Sequence, residues 1–159
     1  MTLYFLDVEA NGFLEEATKV HCLCVKPQGS EDILVFDDTD LSRTRYGNGN
    51  IRHFMEMMEP HDTLVWHNGF GYDVPLLELF GVETRCDIDT LALSREWWPD
   101  CPRGHGLDAW GKFLGYVKPK VDDWDNLPLE VYVERCSMDV RITEKVYDYL
   151  LDKMGIVYE

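Results

Sequence analysis

The chain has 159 residues, 45% of them apolar and 13% aromatic, which is enough side-chain bulk for one compact domain over residues 1–159. Its 30 Asp and Glu against 15 Lys and Arg give a formal net charge of −15 and a pI near 4.6, excluding broad charge-driven binding to duplex DNA, which depends on basic side chains. No apolar run approaches the roughly 18 residues that span a bilayer, and no charged leader precedes the first strand-like pattern, so a soluble cytoplasmic protein with no membrane partner is expected. The five cysteines are odd in number and irregularly spaced, which argues for reduced thiols rather than a disulfide framework. Cys22 and Cys24 alternate along a strand-like segment beside His21 and read as small core residues rather than as zinc ligands.

Taken in chain order, Thr2–Val8 alternates as a strand and breaks at Asn11-Gly12. Thr18–Lys26 and Ile33–Phe36 follow as two more strands around the turn Pro27-Gln28-Gly29-Ser30, so the first third predicts an antiparallel meander. Ile51, Phe54, Met55 and Met58 recur at helical spacing within Ile51–Glu59. Thr63–His67 is a short apolar strand and Val74–Phe80 a helix with Pro75 in its first turn, where the missing N–H does no harm. Cys86–Ile88 reads as a fifth strand, Asp89–Trp97 and Gly106–Leu114 as helices, Val117–Asn126 as a loop, and Leu129–Lys153 as a long closing helix after Pro128. The expected fold class is α/β, with a mixed five-stranded sheet, antiparallel meander plus parallel strands, and helices packed on it.

Asp7 and Glu9 lie two residues apart at the end of the first strand and so share a face, where they can share a cation. A pair of hard divalent ions needs more oxygen ligands than two carboxylates supply. Asp73, just after the short strand Thr63–His67, and Asp139, alone among the apolar positions of the closing helix, are the candidates to join them. Asp73 reads equally as an N-cap of the helix that follows it, and Asp139 as a solvated helix residue.

At this point the chain resembles the DnaQ-like, or DEDD, 3′→5′ exonucleases, particularly the proofreading domains of phage family-A DNA polymerases. The resemblance runs in family order through Asp7-Val8-Glu9-Ala10-Asn11-Gly12, Thr18-Lys19-Val20-His21-Cys22, His67-Asn68-Gly69 with Tyr72-Asp73, Asp89-Thr90-Leu91, His105-Gly106-Leu107-Asp108-Ala109-Trp110-Gly111 and Met138-Asp139-Val140. It implies a ribonuclease-H-like fold and an enzyme that hydrolyses the terminal phosphodiester of a DNA 3′ end, mainly single-stranded or frayed, to release 5′-mononucleotides in proofreading or end trimming. Two Mg²⁺ or Mn²⁺ ions are implied, one on Asp7, Glu9 and Asp139 and a second shared by Asp7 with help from Asp73; together they activate the attacking water and stabilise the leaving 3′ oxygen. Asn11 and Phe13 are implied contacts of the terminal nucleotide, with Phe13 able to stack on a base. His67 and Asn68 are further substrate-side candidates which, with Tyr72, read as bracing the turn before Asp73. With no polymerase segments after Glu159, the expected protein is a free-standing exonuclease or one subunit beside a separate DNA polymerase subunit, acting in a bacterial host cytoplasm if phage-encoded.

The sequence departs from the family at one place. Members carry Tyr four residues, or His five residues, before the last Asp; here those positions are Arg135 and Glu134. Arginine cannot act as a base, so Arg135 is expected to neutralise Asp139 or clamp the scissile phosphate. The proton acceptor then has to come from elsewhere: Glu134 and His105 are candidates, His105 reading equally as a packed helix-start residue, while Tyr132 starts roughly 10 Å along the helix axis from Asp139. The departure leaves open a nucleic-acid-end-binding or polymerase accessory protein with little turnover, and the fold leaves open an exoribonuclease that trims RNA or short oligonucleotides.

Overall fold

The computed structural model describes residues 1–37 and 50–157. Five strands, β1 (Leu3–Ala10), β2 (Val20–Pro27), β3 (Leu34–Phe36), β4 (Thr63–Trp66) and β5 (Ile88–Asp89), form one sheet in the order β3-β2-β1-β4-β5. β1–β2 and β2–β3 are antiparallel, whereas β1–β4 and β4–β5 are parallel. The helices are α1 (Ile51–Glu56), α2 (Val74–Leu79), α3 (Thr90–Trp97), α4 (Leu107–Leu114) and α5 (Leu129–Met154). The mixed five-stranded sheet is as expected. β1 continues through both acids to Ala10 instead of stopping at Val8, α1 ends at Glu56 short of Glu59, and Asp89 caps α3 rather than belonging to it.

Both faces of β1 are covered, and its alternation sorts them. Leu6, Val8 and Ala10 pack with Ile51, Phe54 and Met55 of α1 and Leu76 and Leu77 of α2. Phe5 packs on the opposite side with Cys22 and Cys24 of β2 and with Tyr132, Cys136, Val140 and Tyr147 of α5. Asp7 and Glu9 share the parity of Phe5 and therefore face α5. α5 has 26 residues, about 39 Å at the usual rise, and its sheet-facing row Tyr132, Cys136, Asp139, Val140, Thr143 and Tyr147 is buried throughout. Asp139 thus sits in the apolar stripe and is not a solvated helix residue. A second row, Ile142, Val146 and Leu150, packs against Leu107 and Trp110 of α4.

Among the described residues no helix is long and apolar enough to cross a membrane.

Candidate active site

β1 outruns its parallel neighbour. Pairing with β4 covers only Leu3 to Phe5, so the amide of Val8 has no strand partner on that side, and it donates instead to Asp73 Oδ1 at 3.2 Å. Asp73 reaches that position because the chain leaves β4 through Asn68, in the left-handed region at φ 66°, and a π-helical turn over Gly69–Asp73. Gly69 is required there: a Cβ would lie 2.6 Å from Trp66 Cβ and 3.1 Å from Cys86 Sγ. Asp89 ties the turn down, accepting from the amides of Asn68 (2.9 Å), Phe70 (3.2 Å) and Leu91 (3.0 Å). Asp73 makes no capping bond to α2, so the capping alternative is corrected: its carboxylate crosses to β1.

Asp7, Glu9, Asp73 and Asp139 line one cavity of about 240 Å³ at the carboxyl ends of the parallel strands β1 and β4, where open α/β sheets place their ligands. Glu9 is 8% exposed, Asp73 2% and Asp139 4%. Every carboxyl of the four is pushed upward. Asp7 is held well above the usual range by burial, then by Asp139, Glu9 and Asp73; Glu9 by burial, then Asp139; Asp73 and Asp139 by burial first. Asp7 Oδ2 is buried and without a hydrogen-bond partner. An orphaned carboxylate oxygen among converging hard oxygen donors fits a divalent cation, and protons are what such a cluster takes up without one. Beneath the acids Cys136 Sγ donates to Asp7 O at 3.1 Å, and Cys22, Cys24 and Cys136 bring their sulfurs within 4.8 Å of one another in the core.

Two cations face the acids. Arg135 Nε stands 3.8 Å from Glu9 Oε1, Nη1 donates to Pro119 O at 2.8 Å, and the guanidinium lies 5.3 Å from the Trp124 ring centroid. Its nearest carboxylate is Glu9, not the Asp139 expected from helical spacing. Lys118, unmarked in the sequence within the loop after α4, places Nζ 3.0 Å from Asp139 Oδ1 and 3.4 Å from Asp108 Oδ1.

The structure corrects several expected roles. His105 directs its ring away from the cavity, Nδ1 to Ser94 Oγ (2.7 Å) and Nε2 to Pro99 O (3.4 Å), and only its carbonyl reaches toward the site, by holding His67 Nε2 at 2.8 Å. His67 lines the cavity, but both its nitrogens are engaged, Nδ1 by Thr90 Oγ1 at 2.8 Å, and burial lowers its pKa to about 4, so it braces the turn as a neutral ring. Asn11 holds the β1–β2 connection: Oδ1 accepts from the amides of Thr18 and Lys19, and Nδ2 donates to Thr18 Oγ1 and Asp125 Oδ1, which leaves its amide turned into the loop rather than toward a nucleotide. Glu134 is exposed on α5 and does not line the cavity. The Tyr132 hydroxyl is spent on Asp123 O and Leu127 N.

Phe13, by contrast, is 80% exposed and is no core residue. It borders a second cleft of about 580 Å³, continuous with the first through Glu9, Asn68, Tyr72 and Trp124. Trp124 is held by its carbonyl to His21 Nε2 and by stacking on Tyr132, itself stacked on His21 at 3.8 Å. Tyr72 donates to Gly12 O at 2.8 Å. Trp124 carried no signal in the sequence, because its place depends on the bulge that sets His21 out of the β1–β2 register.

No protein-family model matches the chain. In sequence it is 29% identical to the DNA-directed DNA polymerase of Enterobacteria phage T3 over 147 aligned positions, covering 74% of this chain and 20% of the polymerase; the Escherichia phage T7 enzyme gives 28% over the same shares. The chain therefore spans about a fifth of the length of the curated relatives it matches. In structure it superposes on Brucella melitensis NrnC with bound Mg²⁺ at a TM-score of 0.64 with 17% identity, over 96% of this chain and 75% of that one; NrnC is also known bound to pGG. Escherichia coli Exonuclease I in complex with a dT13 oligonucleotide gives a TM-score of 0.60 and 14% identity, over 97% of this chain and 42% of that one. The fold is thus of the ribonuclease-H-like class found in these nucleases. Together with the sequence likeness to the phage polymerases, it bears out the resemblance to the DnaQ-like exonucleases drawn from the motifs.

Proposed function

We propose that this chain is a divalent-metal-dependent 3′→5′ exonuclease that releases 5′-mononucleotides from single-stranded or frayed DNA ends. The carrying observation is the meeting of Asp7, Glu9, Asp73 and Asp139, from three remote stretches of sequence, around one cavity with an orphaned Asp7 Oδ2. The Mg²⁺ bound in NrnC and the oligonucleotide bound in Exonuclease I support the reading.

In this reading Asp7, Glu9 and Asp139 hold one ion, and Asp7 with Asp73 a second. Bound there, Mg²⁺ or Mn²⁺ supplies water activation and charge stabilisation on the phosphate. The chain supplies the rest. Phe13 and Trp124 wall the apolar cleft for the terminal base, and stacking there is tolerant of sequence. Arg135, fixed by Pro119 O, presents a positive edge to the scissile phosphate. His105, Glu134 and Tyr132 are directed elsewhere, so water activation would rest on the bound ion rather than on any of these three side chains.

The test is product analysis on 5′-labelled single-stranded DNA and RNA of equal sequence in Mg²⁺. A ladder shortening stepwise from the 3′ end, faster on DNA and abolished by EDTA, is expected. Internal cuts, or an intact strand after prolonged incubation, contradict it, and a faster RNA ladder moves the substrate class to RNA.

A further inference from the structure

Resting on the metal-dependent reading above, we propose that Lys118 is a tethered counter-cation: its ammonium occupies Asp139 in the ion-free protein, and loading of the divalent ion displaces it toward Asp108, so the lysine sets how tightly the site holds metal.

The placement of Lys118 is built. α4 ends at Gly115 in the left-handed region, φ 88°, and the chain folds back so that the amide of Tyr116 donates to Gly111 O at 2.7 Å. Gly111 leaves room for this return: a Cβ there would meet Tyr116 O at 2.9 Å and Ile142 Cδ1 at 3.0 Å. One residue after Lys118, Pro119 O is held by Arg135. The backbone is thus pinned on both sides of the lysine, while its four-carbon arm has the rotatable bonds that let one ammonium serve either of two anions. The side chain is only 12% exposed, and Nζ stands between two carboxylates, the buried Asp139 at 3.0 Å and the largely exposed Asp108 at 3.4 Å.

A cation bound to Asp139 and a divalent ion bound to the same carboxylate repel each other at contact distance, so the two compete for that ligand. The arm has a second anion within reach, which gives the displaced ammonium a partner at the cavity rim. A lysine that merely supported the fold or braced Asp139 would help metal binding, or leave it unchanged. A competitor weakens it, and Asp108 relieves the competition.

The experiment is calorimetric titration of Mn²⁺ into the wild-type chain, Lys118→Met and Asp108→Asn, without substrate, each variant first checked by circular dichroism. Lys118→Met should bind Mn²⁺ at least about fivefold tighter, the lower end of ordinary coupling between two ligands. Asp108→Asn should bind it more weakly, because the ammonium then has nowhere to go; if Lys118→Met does not fold, this surface variant decides alone. Equal or weaker binding by Lys118→Met, or unchanged binding by Asp108→Asn, overturns the proposal, as does Mn²⁺ binding by none of the three. The opposed shifts with no cleavage of labelled DNA would uphold Lys118 and defeat the exonuclease reading, whereas cleavage with unshifted affinities would do the reverse.

Discussion

Two buried groups of charge lie on the same side of the sheet, between it and α5, and they are balanced differently. Near the C-terminal half of α5, Lys26 of β2 meets Glu144 with both carboxylate oxygens satisfied, at 2.8 and 2.9 Å: one cation, one anion. Toward the N-terminal half, the cations that face the four carboxyls among the described residues are Lys118 and Arg135, four minus two leaving an excess of two negative charges if all ionise. The first group is complete in the protein alone. The second buries more negative charge than a self-sufficient structure would, an excess that bound divalent cations would offset.

The largest effect expected from this contrast is on activity. Asp7→Ala should abolish hydrolysis, beyond the about 10–100-fold lost when an outer partner of a metal ligand is removed, while leaving the chain folded. Single-turnover rates in Mg²⁺ measure it, and retained activity would mean that Asp7 is no ligand. Lys26→Met should act oppositely, destabilising by about 3–5 kcal/mol because Glu144 is left buried and unpaired, with the rate per folded molecule preserved. Urea denaturation beside activity separates the two. Loss of activity without loss of stability would erase the distinction drawn here.

His67 sharpens it with pH. Its folded pKa is lowered from 6.5 to about 4 by burial, so above 6.5 the ring is neutral in both states. As pH falls from 6.5 toward 4 the unfolded chain takes up a proton that the folded chain refuses, and stability drains away over that window, by about 3 kcal/mol at most. His67→Gln should flatten this acid limb of the pH–stability curve; an unchanged limb would mean the ring is not held neutral. The smallest effect is expected at the adjoining cleft. Phe13→Ala should change stability by less than about 0.5 kcal/mol, since the ring is exposed. It should weaken DNA binding by about 1–3 kcal/mol through lost stacking, measurable by fluorescence anisotropy with Ca²⁺ in place of Mg²⁺.

Much of this was legible in the sequence, for reasons that stop at definite residues. The alternation of β1 and the repeat of α5 announce their elements, and Asp139 could be suspected because it interrupts an apolar row. Which face Asp7 and Glu9 take was not legible, since both faces of β1 are buried and parity acquires meaning only once α5 covers one of them. Asp73 looked like a helix cap because its partner, the Val8 amide, is freed by the early end of β4, a matter of strand length rather than of local pattern. His105 and Asn11 sit inside motif stretches, yet their polar atoms are spent on Ser94, Pro99, Thr18, Lys19 and Asp125. Lys118 had no signal at all: its carboxylate partners lie on two different helices, and only the fold-back after Gly115 brings it between them.

The most direct measurement is anomalous diffraction at the manganese edge from crystals grown with Mn²⁺. Two peaks about 3.5–4 Å apart are expected, one within coordinating distance of Asp7, Glu9 and Asp139 and the other beside Asp7 and Asp73. A cavity without anomalous density at saturating Mn²⁺, with Lys118 still on Asp139, would contradict the account.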